Sequence, residues 1–417
     1  MKSRKVFLGF MAALTLFAVV ALNSCKDDDP VELVLNTLVS GTIDLNGATS
    51  PTTVPVNPTI VATFSTSVDP ASATASTIKM TQDYDNADIA LTITVSGNTI
   101  TIVPAPPLSN GALYKLMFSA DIKSTEGKFL TATDRNFTTI GTFVPAGAIA
   151  HWNFEDNADD QIGPWDPAAN AIVDITYTDS RNATAGKAAT FNGTTSIIEI
   201  PNGDLLINTD NFTISFWVKT KSEGITHGHF VMGLGAFWGL QFEIFGGYDG
   251  AKFAIQYEFE DGTTGAEDMW FPSDATDNTN GGWQGWDFAK SIPAVDMIGL
   301  LKDNWLHVTY TYNGPERKGT LYYNSEKMKS FDFDLWPDGD AKRTVKGMKY
   351  AGLEPDVVNE FALGFIHSRA GILWDNEPWG GYDFPDANHF KGQLDDIRFF
   401  HKVLTPTEIS LMYNSEK

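Results

Sequence analysis

Asn211-Phe212-Thr213-Ile214-Ser215-Phe216-Trp217-Val218-Lys219 is the stretch that decides the fold. Phe212, Ile214, Phe216 and Val218 recur at every second position, with Thr213, Ser215 and Trp217 between them. A period of two puts the first set on one face of a strand and the second set on the other; a helix would scatter both sets around its circumference. Similar short runs lie on either side, among them Thr99-Ile100-Thr101-Ile102-Val103, Tyr114-Lys115-Leu116-Met117-Phe118 and Trp305-Leu306-His307-Val308-Thr309-Tyr310. Asn192-Gly193, Asp261-Gly262 and Asn313-Gly314 are turn signals between such runs, and helix-forming Lys-Glu-Leu tracts are nearly absent. The expected class is all-β.

Toward the N-terminus, Thr59-Ile60-Val61-Ala62-Thr63-Phe64 and Ala90-Leu91-Thr92-Ile93-Thr94-Val95 extend the pattern, and Ser96-Gly97-Asn98 turns one strand into the next as a hairpin. About seven short strands in ~110 residues predict a small β-sandwich. Val56-Asn57-Pro58-Thr59-Ile60, Phe64-Ser65, Val68-Asp69-Pro70-Ala71 and Leu108-Ser109-Asn110-Gly111-Ala112-Leu113-Tyr114 stand in an order that resembles bacterial Ig-like domains. The resemblance implies a spacer module over residues 31–141. Thr142-Phe143-Val144-Pro145-Ala146-Gly147 reads as a linker over 142–147.

From 148 to 417 the landmarks are His151-Trp152-Asn153-Phe154-Glu155-Asp156, Ala188-Ala189-Thr190-Phe191-Asn192-Gly193, the 211–219 strand, Leu321-Tyr322-Tyr323-Asn324 and Gly392-Gln393-Leu394-Asp395-Asp396-Ile397-Arg398-Phe399-Phe400. Their order resembles concanavalin A-like, laminin-G-type jelly rolls, which implies two stacked antiparallel sheets, one convex and one concave. Thr405-Pro406-Thr407-Glu408 predicts a capping box opening a short helix over 406–413. Residues 262–301 make the unit long for its type and are expected to form a long aromatic loop.

The N-terminus gives an address. Lys2, Arg4 and Lys5 precede an apolar run over residues 6–22, and Leu22-Asn23-Ser24-Cys25 contains the only cysteine of the 417 residues. A basic start followed by an apolar run is a secretory signal. Its ending in Cys resembles the lipobox of bacterial lipoproteins, which implies cleavage after residue 24 and acylation of Cys25; acyl chains hold a protein to a bilayer at ~0.8 kcal/mol per buried CH₂. Residues 25–30 form an acidic tether. Within it, Lys26-Asp27-Asp28-Asp29 resembles the export signal of surface lipoproteins from glycan-harvesting Gram-negative bacteria, implying an outer-membrane, cell-surface location. One cysteine permits no intrachain disulfide, so stability must come from core burial. The formal charge of −23, or −26 once the three cations of residues 1–24 are removed, argues against nucleic acid as a partner and leaves the lipid anchor as the membrane contact.

Three constellations bear on chemistry. Over residues 254–260, read as a strand, Gln256, Glu258 and Glu260 share a face at i, i+2, i+4. Retaining glucanases of the concanavalin A-like class resemble this, with Glu-x-Asp-x-Glu on a concave strand. Gln256 departs from that pattern because an amide cannot form a glycosyl ester, so hydrolysis is disfavoured; Glu243 is a further carboxylate on a neighbouring strand. The jelly-roll resemblance also implies a structural Ca²⁺, with Asp395 in the last strand and Glu155 or Asp156 near the first as its hard oxygen ligands. Finally, eight of the 11 Trp residues lie between positions 238 and 379. Trp270, Trp283, Trp286, Trp374 and Trp379 fall among Gly, Asp and Asn residues, the mixture that stacks on sugar faces and bonds their hydroxyls. His227 and His229 read as polar loop residues.

The expectation is a lipid-anchored surface protein. Its Ig-like sandwich is followed by a jelly roll that binds polysaccharide or oligosaccharide for an outer-membrane uptake system. The rival readings are a glycoside hydrolase or lyase acting at the concave face, and a protein-binding adhesin.

Overall fold

A computed structural model describes residues 31–272 and 286–417. Two compact units emerge, the first ending at Gly141 and the second beginning at Thr142. Cys25, the 26–29 acidic run and Trp283 lie outside the described residues.

The first unit stacks two antiparallel sheets. One orders its strands Ile43–Asp44, Leu35–Ser40, Ile60–Phe64, Thr99–Pro104 and Leu91–Ser96; the other orders them Asp88–Ile89, Ile78–Gln82, Leu113–Phe118 and Thr133–Thr138. Alternate residues of facing strands fill the core, with Ile60, Ala62, Phe64, Ile100 and Ile102 on one side and Ile78, Met80, Tyr114, Leu116 and Phe118 on the other. Ser96 pairs with Thr99 across a two-residue turn in which Gly97 takes a φ of 60°, a conformation that favours glycine. The Tyr114 hydroxyl donates to Gln82 Oε1 at 2.6 Å and accepts from the Ser109 N–H at 2.8 Å, so this buried ring ties a loop to two strands.

The second unit is a larger sandwich. Its first sheet runs Thr176–Asp179, Lys187–Asn192, Lys391–Phe400, Asn211–Thr220, Trp305–Asn313, Lys318–Tyr323, Glu326–Asp332 and Trp286–Ala289, with Ala148–Trp152 also paired to Lys391–Phe400. The second runs Ile172–Val173, Ile197–Ile200, Phe361–Leu363, His229–Leu234, Leu240–Ile244, Ala251–Phe259 and Thr264–Phe271, with Val345–Met348 paired to Ala251–Phe259. Phe212, Ile214, Phe216 and Val218 enter the core between the sheets, where Phe216 meets Phe242 and Phe253 at ring distances of 5.3 and 6.3 Å. Thr213, Ser215 and Trp217 face the opposite way, toward the C-terminal segment. Thr213 Oγ1 donates to the Lys402 carbonyl at 2.7 Å, and Trp217 Nε1 donates to Glu416 at 2.7 Å. Glu416 ends the helix Pro406–Glu416, which is longer than the sequence predicts and opens with the expected capping box of Thr405 and Glu408.

Three local expectations change. Residues 142–147 belong to the second unit: Phe143 is buried, and its N–H donates to Ser415 Oγ at 2.9 Å. The 254–260 strand runs Ala251–Phe259 instead, leaving Glu260 in the turn that follows. The described part of 262–301 is not a loop. Thr264–Phe271 pairs along Ala251–Phe259, Trp286–Ala289 extends the other sheet, and Ala294–Leu301 is a helix. Among the described residues no helix is long and apolar enough to cross a membrane.

Candidate functional site

Part of the outer face of the second sheet is covered by a returning segment of chain. Residues 364–389 fold back over that part, and backbone bonds fix them there. Gly364 donates to the Val231 carbonyl at 2.8 Å, Ala236 to Ile366 at 3.0 Å, and Phe230 to Asn388 at 2.7 Å. The strand His229–Leu234 adapts with a bulge between Phe230 and Met232, so Phe230 packs outward while Val231 and Met232 both enter the core. Gly233 follows on the outer side, where a Cβ would overlap the Ile366 carbonyl oxygen. Phe365, Ile366 and Ala387 pack on Ile197, Phe230, Ala236 and Ala362 as a second, smaller apolar layer.

An open cleft of about 270 Å³ lies where this covering stops. Trp374, Trp379, Phe237, Phe230 and Ile366 form its apolar wall; Gln241, Glu243, Lys252 and Asn388 supply polar groups. The Trp374 and Trp379 rings lie 4.9 Å apart, Phe237 is 6.1 Å from Trp374, and Phe230 meets Trp379 edge-on at 6.2 Å. Trp374 takes a φ of 64°, uncommon for a bulky residue and costing of order 1–3 kcal/mol. The turn around it holds that conformation: Glu377 donates to the Trp374 carbonyl at 2.8 Å and Gly380 donates to Glu377 at 3.0 Å.

The polar groups come from strand alternation. Leu240, Phe242 and Ile244 point into the core, which leaves Gln241 and Glu243 outside, with the Gln241 amide donating to the Glu243 carboxylate. Lys252 stands opposite Glu243 on the next strand; its ammonium lies 3.8 Å from Glu243, 3.3 Å from Asp268 and 5.3 Å from the centre of the Trp270 ring. Burial pushes the Glu243 carboxyl above its ordinary value, and Lys252 only partly offsets it. Convergent amide, carboxylate and ammonium groups beside exposed indoles can bond hydroxyls and stack on an apolar ring face.

The sequence-predicted residues separate into three groups. Trp374, Trp379 and Glu243 come together in the cleft, and Trp270 stands beside it, 46% exposed, at the far side of Lys252. Trp270 is in a strand, not a loop, with Phe245 against its ring at 5.0 Å. Gln256, Glu258 and Glu260 lie away from the cleft. Gln256 is buried, its backbone bonded to Gly239 and Lys349; Glu258 pairs with Lys346 at 3.3 Å, and Glu260 pairs with Arg317 at 2.7 Å. Glu258 stands six residues along the strand from Lys252, about 20 Å from the row holding Glu243 at ~3.3 Å per residue. A glycosidase needs its two carboxyl groups within about 5 to 9.5 Å. Trp286 opens its own strand opposite Phe331 on the other sheet. Phe237, Gln241, Lys252 and Asn388 were not read as site residues, although the alternation through Leu240–Ile244 already set Gln241 beside Glu243.

The carboxylates expected to hold Ca²⁺ have other partners in this structure. Glu155 accepts the Lys187 N–H at 3.1 Å, and Asp156 pairs with the Lys187 ammonium at 2.8 Å. Asp395 is buried with the Ser180 hydroxyl and the Arg181 guanidinium, the latter at 2.5 Å, so a guanidinium already supplies its positive partner. Asp396 takes Arg181 at 2.6 Å and both Arg398 and His151 at 2.8 Å. Burial, with Asp396 adding to it, pushes the Asp395 carboxyl up to about 8. Asp396 is also pushed up by burial, but Arg398, His151 and Arg181 outweigh that and hold it low. Among the described residues no group of three His, Cys, Asp or Glu side chains could hold a metal ion. His227 and His229 have rings 6.4 Å apart, and His229 bonds the Tyr248 hydroxyl instead.

Comparison with known proteins adds the following. Three solved structures share similarity over 64% of this chain. They are the binding domain of Paraclostridial Mosquitocidal Protein 1 (15% identity, 52% of that chain, TM-score 0.40), the Botulinum Neurotoxin Type G receptor binding domain (14%, 51%, 0.37), and domain 4 of AbnA, a GH43 extracellular arabinanase from Geobacillus stearothermophilus, in complex with arabinotriose (20%, 98%, 0.36). The chain spans about half the length of the two toxin structures. No curated protein matches it. Residues 39–139 match the family described as Bacterial Ig-like domain. The chain is therefore all-β, an N-terminal Ig-like sandwich followed by a second, larger β-sandwich.

Proposed function

We propose that this protein is a cell-surface lipoprotein, acylated at Cys25, that binds glycan in the cleft of its second unit and holds polysaccharide for an outer-membrane uptake system. The observation that carries the binding role is the cleft itself: Trp374 and Trp379 stand beside Gln241, Glu243, Lys252 and Asn388 along its wall. Sugars present apolar C–H faces ringed by hydroxyls, and this surface offers indoles ringed by donors and acceptors. The Ig-like unit serves as a spacer. Binding is favoured over hydrolysis because Glu258 and Glu260 are engaged with Lys346 and Arg317 and lie far from Glu243.

The test is retention on immobilised polysaccharides. Wild-type protein is expected to be retained by at least one, and Trp379→Ala to weaken retention five- to thirty-fold, the lower part of the ~1–3 kcal/mol for stacking on an aromatic. Folded wild-type protein that no polysaccharide retains would refute the binding role. For the anchor, Cys25→Ser should abolish palmitate labelling and release the protein from membranes; unchanged labelling would end the lipoprotein reading. Replacing Lys26-Asp27-Asp28-Asp29 with Ala should lower surface staining while lipidation continues.

A further inference from the structure

We infer that the cleft is one end of a longer groove, and that this groove takes an uncharged saccharide chain of several units lying across the strands. The inference rests on the glycan reading above and adds the ligand's length, direction and charge.

The groove follows from register. Phe230 pairs with Glu243, Glu243 with Lys252, and Lys252 with Trp270, so four residues on four neighbouring strands form one straight row. At 4.7–4.9 Å between strands the row is about 14 Å long from first backbone to last. Both ends are aromatic and open to solvent. Trp379, 42% exposed, sits over Phe230 at one end, and Trp270 sits at the other. The polar groups lie between them. One sugar ring cannot touch both indoles, whereas a chain perpendicular to the strands meets an indole at each end and hydrogen-bonding groups in the middle.

The charge of the ligand follows from Lys252. Among the described residues it is the one cation lining the cleft, and two carboxylates already bracket it at 3.8 and 3.3 Å. A uronate or sulfate entering the row would meet Glu243 and Asp268 with no free positive charge to oppose them, on a chain of formal charge −23. Hydroxyl groups have no such conflict, because both carboxylates accept from them.

The experiment uses the full chain in two steps. Affinity electrophoresis is run in gels containing xylan, arabinan or galactomannan, and in gels containing polygalacturonate or alginate. Calorimetry then follows with mono- to hexasaccharides of whichever polymer is retained. A neutral polymer should slow the protein and the polyuronates should not. Affinity should rise at least tenfold from monosaccharide to tetrasaccharide and then level off. Trp270→Ala should remove five- to thirty-fold of the affinity for the longer chains and leave the shortest ligand unchanged, while Trp270→Phe keeps most of it. A monosaccharide bound as tightly as a hexasaccharide, or a Trp270→Ala protein with undiminished long-chain affinity, overturns the groove while glycan binding stands. Retention by a polyuronate overturns the charge assignment. No retention by any polymer overturns the glycan reading and the groove with it.

Discussion

On one outer face of the second unit, Trp217, His307, Asp395, Asp396 and Arg398 lie beneath the C-terminal segment; on the other, Trp270, Trp379, Glu243 and Lys252 lie at the open surface or close below it. The two inventories are alike: indoles, carboxylates and a cation, carried on antiparallel strands except for Trp379, which lies in a turn. What separates them is the covering. Helix Pro406–Glu416 brings Glu416 down onto Arg398 at 2.7 Å and onto the Trp217 indole, which seals the first set into a closed network. Residues 364–389 contribute Trp379 to the second set instead of sealing it, and Trp379 and Trp270 stay 42% and 46% exposed. Residue type therefore does not distinguish a structural cluster from a binding surface here; the reach of a covering segment does.

Breaking the sealed face should give the largest effect. Arg398→Met takes the 2.7 Å partner from the buried Glu416 carboxylate, leaving it Arg181 at 3.8 Å, and one partner from Asp396, which keeps Arg181 at 2.6 Å; breaking a buried pair typically costs about 3–5 kcal/mol, read from urea unfolding. A loss below ~1 kcal/mol would mean that the network tolerates water and that the two faces differ less than their burial indicates. His307 gives a second measure of sealing. Burial, helped by Arg398 and Arg181, pushes its imidazole down to about 3 from 6.5. The folded state then binds fewer protons than the unfolded state below pH 6.5, so this residue's stabilisation is present at neutral pH and is lost progressively as pH falls toward 3. Between pH 6 and 4 the stability gap between wild type and His307→Gln should change by about 1.4 kcal/mol per pH unit. A gap independent of pH would show that solvent reaches the ring.

The open face should respond weakly in the same assays. Trp270→Ala and Trp379→Ala should each cost under about 1 kcal/mol in urea unfolding, since exposed side chains away from the core seldom cost more. A loss of 3 kcal/mol at either position would make it a packing residue and erase the contrast. Glu260→Gln, which removes an exposed pair with Arg317, should shift stability by no more than ~1 kcal/mol and leave saccharide affinity unchanged. Smallest of all is the effect of chelation: EDTA should leave the melting temperature where it is. A melt lowered by EDTA and restored by Ca²⁺ would put a metal where Arg181 now pairs with Asp395.

The fold was legible because alternation is local. Phe212, Ile214, Phe216 and Val218 announce their face within one strand, and Ser96-Gly97-Asn98 marks its own turn. The site was legible in part. Trp374, Trp379 and Glu243 were picked out by composition, yet 131 positions separate Glu243 from Trp374, and nothing local reports that a loop returns to that strand. Lys252 was missed for the same reason: its meaning lies in register with Glu243 and Trp270 on other strands. The surroundings of Asp395 were hidden too: its local context, Leu394-Asp395-Asp396-Ile397-Arg398, does not announce Arg181, which arrives from 214 positions away.

The pairing of Ala148–Trp152 with Lys391–Phe400, together with the Phe143–Ser415 bond that spans 272 positions, also sets the timetable of folding. The first unit joins strands near one another in the chain and can form soon after residue 141 is available. The second cannot close until nearly its last residue exists, because its opening strand pairs with its final one. Contacts of such long range make folding slow and leave strand edges unpaired in the interim. Truncation by a few residues at the C-terminus therefore acts on the yield of folded chain before it acts on anything the folded chain does.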